Sequence, residues 1–288
     1  MKSVTVNAPA KINLVLDVTG RREDGYHTLF TIMQSISLAD TVCLTPNDSG
    51  IITVECSDRS IPASIDNIAF RAAELFYRTN GIEQIGLNIK IDKHIPSQAG
   101  LGGGSADAAA VLVGMNSLYG TGLTPEELCR LGVRLGADVP FCIVGGTKIC
   151  RGIGELMTEA PPLEKCYIAI GKGSEGISTK EAYAEIDSKC SFCTDDGPDR
   201  YDGSISSVKA AGRNIFEDVS HCPEVKVIKE SFYSAGAEYS AMSGSGSAVF
   251  GLFREQTAAE SACAEISRMG YFSGVYLPIP CGASLMKI

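Results

Sequence analysis

The sequence predicts an α+β protein of two domains that divide near residue 160. Three observations carry this. Alternating segments, the mark of half-buried strands, are mixed with segments of helical period, without the strict strand–helix alternation of a doubly wound sheet. A glycine-rich segment, IPSQAGLGGGSADAAAVL, runs straight into a helix former. The composition shifts at MTEAPPLEKC, which separates a first domain, 1–160, from a second, 161–288.

The elements follow in order. KINLVLDV alternates, with Ile12, Leu14, Leu16 and Val18 on one side of a strand and Lys11, Asn13 and Asp17 on the other. Lys11 and Asn13 therefore share the side away from the apolar face. REDGYHTL is a turn, signalled by Asp24-Gly25. LFTIMQSISL, TVCLT and IITVEC read as three further strands. DNIAFRAAELFYRTNG is a helix with Asp66 as its cap, Ile68, Ala72, Leu75 and Phe76 on one face, and Gly81 at its end. IGLNIKID is a strand with Leu87, Ile89 and Ile91 on one face, and it leads into the glycine segment. Thr124 as cap, Pro125 at the first helical position and Glu127 completing a capping box start the next helix; Gly136 closes it, which leaves Asp138 in the loop beyond. Past the break come a strand at Cys166–Ile170, helices near Glu181 and Glu224, the small-residue turn SGSGSAVF, a helix over Ala258–Met269 and a last strand, SGVYLPI. SKCSFCTDDGPDRYDG reads as a solvated loop.

Composition excludes several classes. The 288 residues are 44% apolar and 20% charged, as in ordinary globular domains. No apolar run approaches the ~20 residues of a membrane span, and MKSVTVNAPAKINLV lacks the apolar core of a secretory signal, so a cytoplasmic protein without a membrane partner is expected. A net charge of −9 argues against nucleic acid as a partner and requires that positive charge be concentrated at any site for phosphate. The 11 cysteines are odd in number and scattered; Cys43, Cys142, Cys150 and Cys263 sit in apolar segments as small core residues. Cys190 and Cys193 have metal-like spacing, but neither a second such pair nor a histidine pair completes a zinc site.

The glycine segment needs a reason, because glycine loses more conformational entropy on folding than any other residue. A helix N-terminus offers unpaired N–H groups and the positive end of the macrodipole, and glycines let that backbone wrap a phosphate closely. The segment is no Walker loop, since no Gly-Lys-Ser/Thr follows. IAIGKGSEG fits G-x-G-x-x-G at Gly171, Gly173 and Gly176, but a polar loop stands where a dinucleotide fold needs its second strand, so an ordinary loop is expected. SGSGSAVF reads either as a tight hairpin or as a second anion-friendly loop. Taken singly, Lys11 reads as a solvated strand residue and Asp138 as a turn former.

Taken together, APAKINLVLDVTGRREDGYHTL, KHIPSQAGLGGGSADAAAVL, LGADVPF and MSGSGSAVFGLF, in this order, resemble the GHMP kinase superfamily over nearly the whole chain, 185–210 excepted. The DGYH and GLGGGSAD forms are similar to those of the branch that phosphorylates a cytidine-diphosphate alcohol for isoprenoid precursors; mevalonate and homoserine kinases carry a Gly-Leu-Gly-Ser-Ser version. The resemblance implies an N-terminal domain with a left-handed βαβ crossover and a ferredoxin-like C-terminal domain. It implies ATP as co-substrate with Mg²⁺, and Lys11 and Asp138 as the catalytic pair. The ATP phosphates would be held by Pro96, Ser97, Gln98, Ala99, Gly100, Leu101, Gly102, Gly103, Gly104, Ser105 and Ala106, with Asn67 and Lys93 on the nucleotide side. The cytidine substrate would be held by Asn13, Tyr26, His27 and Tyr183. Phosphorylation of mevalonate or homoserine, or a non-catalytic nucleotide sensor of the same fold, are the competing readings.

Overall fold

A computed structural model describes residues 3–83, 85–189, 192 and 201–286. Its frame is a hairpin of two long antiparallel strands, β1 (Val4–Arg21) and β2 (His27–Pro46). The expected Asp24-Gly25 turn joins them: Gly25 has φ 88°, and the Asp24 carboxylate accepts the Tyr26 N–H at 3.2 Å. LFTIMQSISL and TVCLT are not separate strands. No glycine or proline interrupts the run between them, and β2 passes through both.

β3 (Ile52–Cys56) and β4 (Leu87–Asp92) are parallel and joined through α1 (Ile68–Asn80), and β4 pairs antiparallel with β2. The side chain that caps α1 is Asn67, accepting the Ala69 N–H at 2.8 Å, rather than Asp66. Gly81 ends the helix at φ 61°. α2 (Gly103–Tyr119) begins inside the glycine segment and is buried along most of its length, against β1, β2 and α1. α3 (Pro125–Gly132) carries the full Thr124–Glu127 capping box but ends four residues before Gly136. α4 (Val139–Val144) follows, so Asp138 lies in the connection beyond α3, as expected, at the N-cap position of a short helix. β5 (Thr147–Arg151) pairs with β2, and β6 (Leu156–Glu159) with β5.

Beyond residue 160 the chain builds a second sheet from β7 (Tyr167–Lys172), β8 (Tyr239–Met242), β9 (Val249–Phe253) and β10 (Phe272–Tyr276). Its spatial order is β10-β7-β9-β8, antiparallel throughout. With α7 (Pro223–Ser234) between β7 and β8 and α8 (Gln256–Arg268) between β9 and β10, this is the split βαβ of a ferredoxin-like domain. Gly171 therefore lies in a strand flanked by antiparallel neighbours, and IAIGKGSEG opens no dinucleotide fold. α5 (Thr179–Lys189) and α6 (Ile205–Ala211) occupy the β7–α7 connection. After β10 the chain returns to the first sheet, where β11 (Ser284–Leu285) pairs with the start of β1.

The core has two main clusters. β1 spans both: Ile12 and Leu14 pack in the first, Leu16 and Val18 in the second. Residues 8–16 are all buried, Lys11 and Asn13 included. Among the described residues no helix is long and apolar enough to cross a membrane. Cys142, Cys150 and Cys263 are buried and unpaired and Cys43 half-buried, while Cys190 and Cys193 lie outside the described residues.

Candidate active site

β1 carries the central pair. Lys11 and Asn13 are two residues apart on a strand, so their side chains leave by one face and meet: Lys11 Nζ donates to Asn13 Oδ1 at 2.7 Å. Asn13 is fixed in turn, its amide donating to Thr31 Oγ1 at 2.8 Å. Asp138 comes from the head of α4. Its carboxylate makes no capping bond to that helix and is free to face Lys11, with Oδ2 3.4 Å from Nζ. The Lys11 side chain is 5% exposed and that of Asp138 32%, so the ammonium is enclosed and the carboxylate looks into open space.

Both glycine loops are tied to this strand. Lys11 N–H bonds the Leu101 carbonyl at 3.0 Å, and Ala248 N–H bonds that of Ala99 at 3.0 Å. Ser243 Oγ donates to the Gly100 carbonyl at 3.0 Å and accepts the Asn13 N–H at 3.3 Å. SGSGSAVF is thus both a hairpin turn between β8 and β9 and a buttress of the first loop. A Cβ on Gly102 would stand 3.0 Å from Lys11 Cγ, so the lysine stem lies directly against the loop.

Past the Lys11–Asp138 pair the cleft ends in aromatic residues. His27 stacks on Tyr183 of α5 (centroids 4.6 Å apart, 18° between planes), and Tyr183 meets Phe216 edge-on at 5.0 Å. His27 Nε2 is 2.6 Å from the Asp187 carboxylate, which also pairs with Arg21. Burial pushes the Tyr183 hydroxyl up to about 12. Tyr26 is 61% exposed at the rim.

One cleft of about 1220 Å³ collects Lys11, Asn13, Tyr26, His27, Gln98, Gly100, Gly102, Ser105, Asp138 and Tyr183. A pocket of about 420 Å³ adjoins it, lined by Pro96 through Ser105 together with Asn67 and Lys93. Ala106 lines neither and is buried in the core. The side chains of Asn67 and Lys93 are committed to the fold. Asn67 caps α1 and donates to the Pro62 carbonyl at 2.9 Å. Lys93 Nζ lies 2.5 Å from Asp40 and 2.8 Å from Asp107. Reading the sequence missed Arg71, Arg134 and the 176–181 segment, all of which line the cleft. Only the glycines of IAIGKGSEG signalled that last segment.

Comparison with known proteins agrees with this architecture. Residues 67–146 match the GHMP kinases N terminal domain and 206–271 the GHMP kinases C terminal domain. The chain belongs to the GHMP kinases. A 4-diphosphocytidyl-2-C-methyl-D-erythritol kinase of Alkaliphilus metalliredigens is 43% identical over 278 residues, covering 93% of this chain and 94% of the relative. A crystal structure of 4-(cytidine 5'-diphospho)-2C-methyl-D-erythritol kinase superposes with a TM-score of 0.75 at 32% identity, over 96% of this chain and 99% of the other. A homoserine kinase structure from Cytophaga hutchinsonii shares the fold (TM-score 0.72, 21% identity, 99% and 98% covered).

Proposed function

We propose that this chain transfers the γ-phosphoryl of ATP to a hydroxyl of 4-diphosphocytidyl-2-C-methyl-D-erythritol, in the cytoplasm, as a step of non-mevalonate isoprenoid precursor synthesis. The observation that carries the reading is one continuous cleft in which a buried lysine and a half-open carboxylate, 3.4 Å apart, lie between a glycine-rich helix start and a His–Tyr stack. The helix start supplies N–H groups and dipole for phosphate oxygens. The stack suits a flat pyrimidine with a hydrogen-bonding edge, which neither mevalonate nor homoserine possesses.

Phosphoryl transfer passes through a loose transition state with its charge spread over oxygens, so positioning and electrostatics dominate. Asp138 orients the acceptor hydroxyl and takes its proton. Lys11 is held by Asn13, its ammonium balances the carboxylate, and it lies where it can polarise the same hydroxyl. The residues fit a magnesium ion held with few protein ligands. Ser105, half-buried at the start of α2, lines both pockets, and its hydroxyl has no partner among the described residues. Magnesium takes one or two protein oxygens and otherwise phosphate and water, and when bound it neutralises phosphate charge. Ser105 is the residue proposed to hold it.

The test is ATP consumption with cytidine-diphosphate methylerythritol, mevalonate and homoserine, run on the wild type and on Asp138→Asn. Turnover is expected with the first alcohol alone. The variant should bind ATP normally and turn over roughly 10²-fold or more slowly, the scale of a lost general base. Turnover on another alcohol redirects the assignment, and a fully active variant removes Asp138 from its role.

A further inference from the structure

A nucleotide triphosphate entering this cleft brings about four negative charges to a protein whose net charge is already −9. Among the described residues five lysines and arginines line the two pockets: Lys11, Arg71, Arg134 and Lys180 in the cleft and Lys93 in the pocket beside it. Two of them are already engaged. Lys93 is locked between Asp40 and Asp107, and Lys11 is held by Asn13 and Asp138. Lys180 lies on α5, three residues before Tyr183, on the acceptor wall. Arg71 and Arg134 remain, and among the described residues neither forms an ion pair.

The fold brings these two arginines to the same end of the cleft. Ile68 Cγ2 stands 3.6 Å from where a Cβ on Gly104 would be, and Ile68 Cδ1 3.8 Å from where one on Gly136 would be. The start of α1, the start of α2 and the bend before α4 therefore meet on one side chain. Arg71 is in the first turn of α1, three residues past Ile68 and so on the same helix face. Arg134 is two residues before the Gly136 bend and four before Asp138. Both are exposed to the cleft that contains Ser105 and Asp138.

We infer that Arg71 and Arg134 grip the terminal phosphate of ATP and stabilise it as it moves to the acceptor, a deepening of the kinase reading above that rests on it. The chemistry suits arginine: its planar fork matches phosphate oxygens two at a time and stays charged at every working pH. The position suits transfer, because the phosphoryl must lie between the helix start that holds its neighbours and Asp138 that holds the acceptor. An enzyme in which Lys11 and Lys93 already face carboxylates draws its phosphate-directed charge from these two side chains.

The experiment compares wild type, Arg71→Met, Arg134→Met and the two lysine replacements. Methionine keeps the stem and removes the charge. Each methionine variant is expected to lower kcat with cytidine-diphosphate methylerythritol by ~10- to 100-fold, the scale of one charge-assisted phosphate contact. Lysine should restore part of that loss. Calorimetry without acceptor should show ATP affinity falling while ADP affinity changes less than ~2-fold, with an unchanged melting temperature. A merely structural role would move the melting temperature and both nucleotides together. Full turnover in both methionine variants, or ADP weakened as much as ATP, overturns the inference while leaving the kinase reading intact if the wild type is active. A wild type that phosphorylates none of the alcohols overturns that reading, and the ATP-against-ADP comparison still decides the arginines.

Discussion

At Lys93 one ammonium serves two carboxylates, and the two are unequal. Asp40 also accepts the N–H groups of His94 at 2.6 Å and Ile95 at 2.8 Å. Asp107 Oδ2 takes the Lys93 ammonium, and its Oδ1 is buried without a partner among the described residues. Burial pushes Asp107 up to about 7, with the Asp40 charge adding to it and Lys93 opposing. Burial alone would lower Lys93, but Asp107 and Asp40 together hold it above its ordinary value. The folded protein therefore binds a proton at Asp107 that the unfolded chain, titrating near 3.8, does not bind between that pH and about 7. Stability from this residue is present at the acid end and is lost as pH rises through about 7. Asp107→Asn stays neutral throughout. Its stability relative to the wild type should thus rise between about pH 5 and pH 8 by ~1–3 kcal/mol, at about 1.4 kcal/mol per unit. Urea unfolding of both proteins at the two pH values measures this, and a difference that does not change with pH contradicts it.

At the scale of the element, the glycine segment does several jobs with different residues. Gly100 and Gly102 have φ of 73° and 74°, a region that costs an L side chain ~1–2 kcal/mol. A Cβ on Gly100 would also overlap the Ser243 carbonyl oxygen. Gly103, in contrast, has no such backbone demand. It is the first residue of α2, and its added Cβ would meet Ile95 at 3.1 Å and Lys93 Nζ at 3.2 Å. Gly104 is exposed, with its nearest neighbour at 3.6 Å. Gly100→Ala should therefore destabilise by ~2–4 kcal/mol, adding overpacking to backbone strain. Gly104→Ala should change stability by less than ~1 kcal/mol, and in the favourable direction, since alanine is the better helix former. Thermal melts of the two variants, side by side, separate a loop whose shape depends on particular glycines from one that is merely flexible.

At the scale of the whole molecule, the cleft exists because parts distant in sequence close on it. The β1–β2 turn is held to α5 through Asp187, which takes both His27 and Arg21. The two glycine loops are joined through Ser243. The aromatic end of the cleft therefore belongs to both halves of the chain, with His27 from one and Tyr183 from the other. Tyr183→Ala and His27→Ala should each raise KM for the cytidine substrate by at least ~10-fold, about one lost buried contact, while KM for ATP hardly moves. If these residues only brace the turn against α5, both KM values and the melting temperature will drift together. Measuring all three on the same preparations decides between the two roles.

Several features were legible in the sequence alone because they are settled within a turn or two of chain. The alternation of β1, the Asp24-Gly25 turn, the Thr124–Glu127 capping box and the glycine run ahead of α2 depend on local hydrogen bonds, backbone angles and side-chain period. So did the pairing of Lys11 with Asn13 on one face, which strand geometry compels. Adjacent alternatives were harder: Asp66 and Asn67 are both good caps, and which one turns inward depends on the Pro62 carbonyl that Asn67 also binds. Tertiary structure alone decided the rest. Lys11 is buried because the glycine loops, from Gly102 and Gly244, close over the face of β1 opposite its apolar residues. Lys93 is a structural cation because Asp40 and Asp107, 53 and 14 residues away, converge on it. Arg71 and Arg134 come to one end of the cleft because α1, α2 and the Gly136 bend meet at Ile68. The physical reason is common to all three: a charge has a different role in water, in an ion pair or facing an open cleft, and its surroundings come from residues far along the chain.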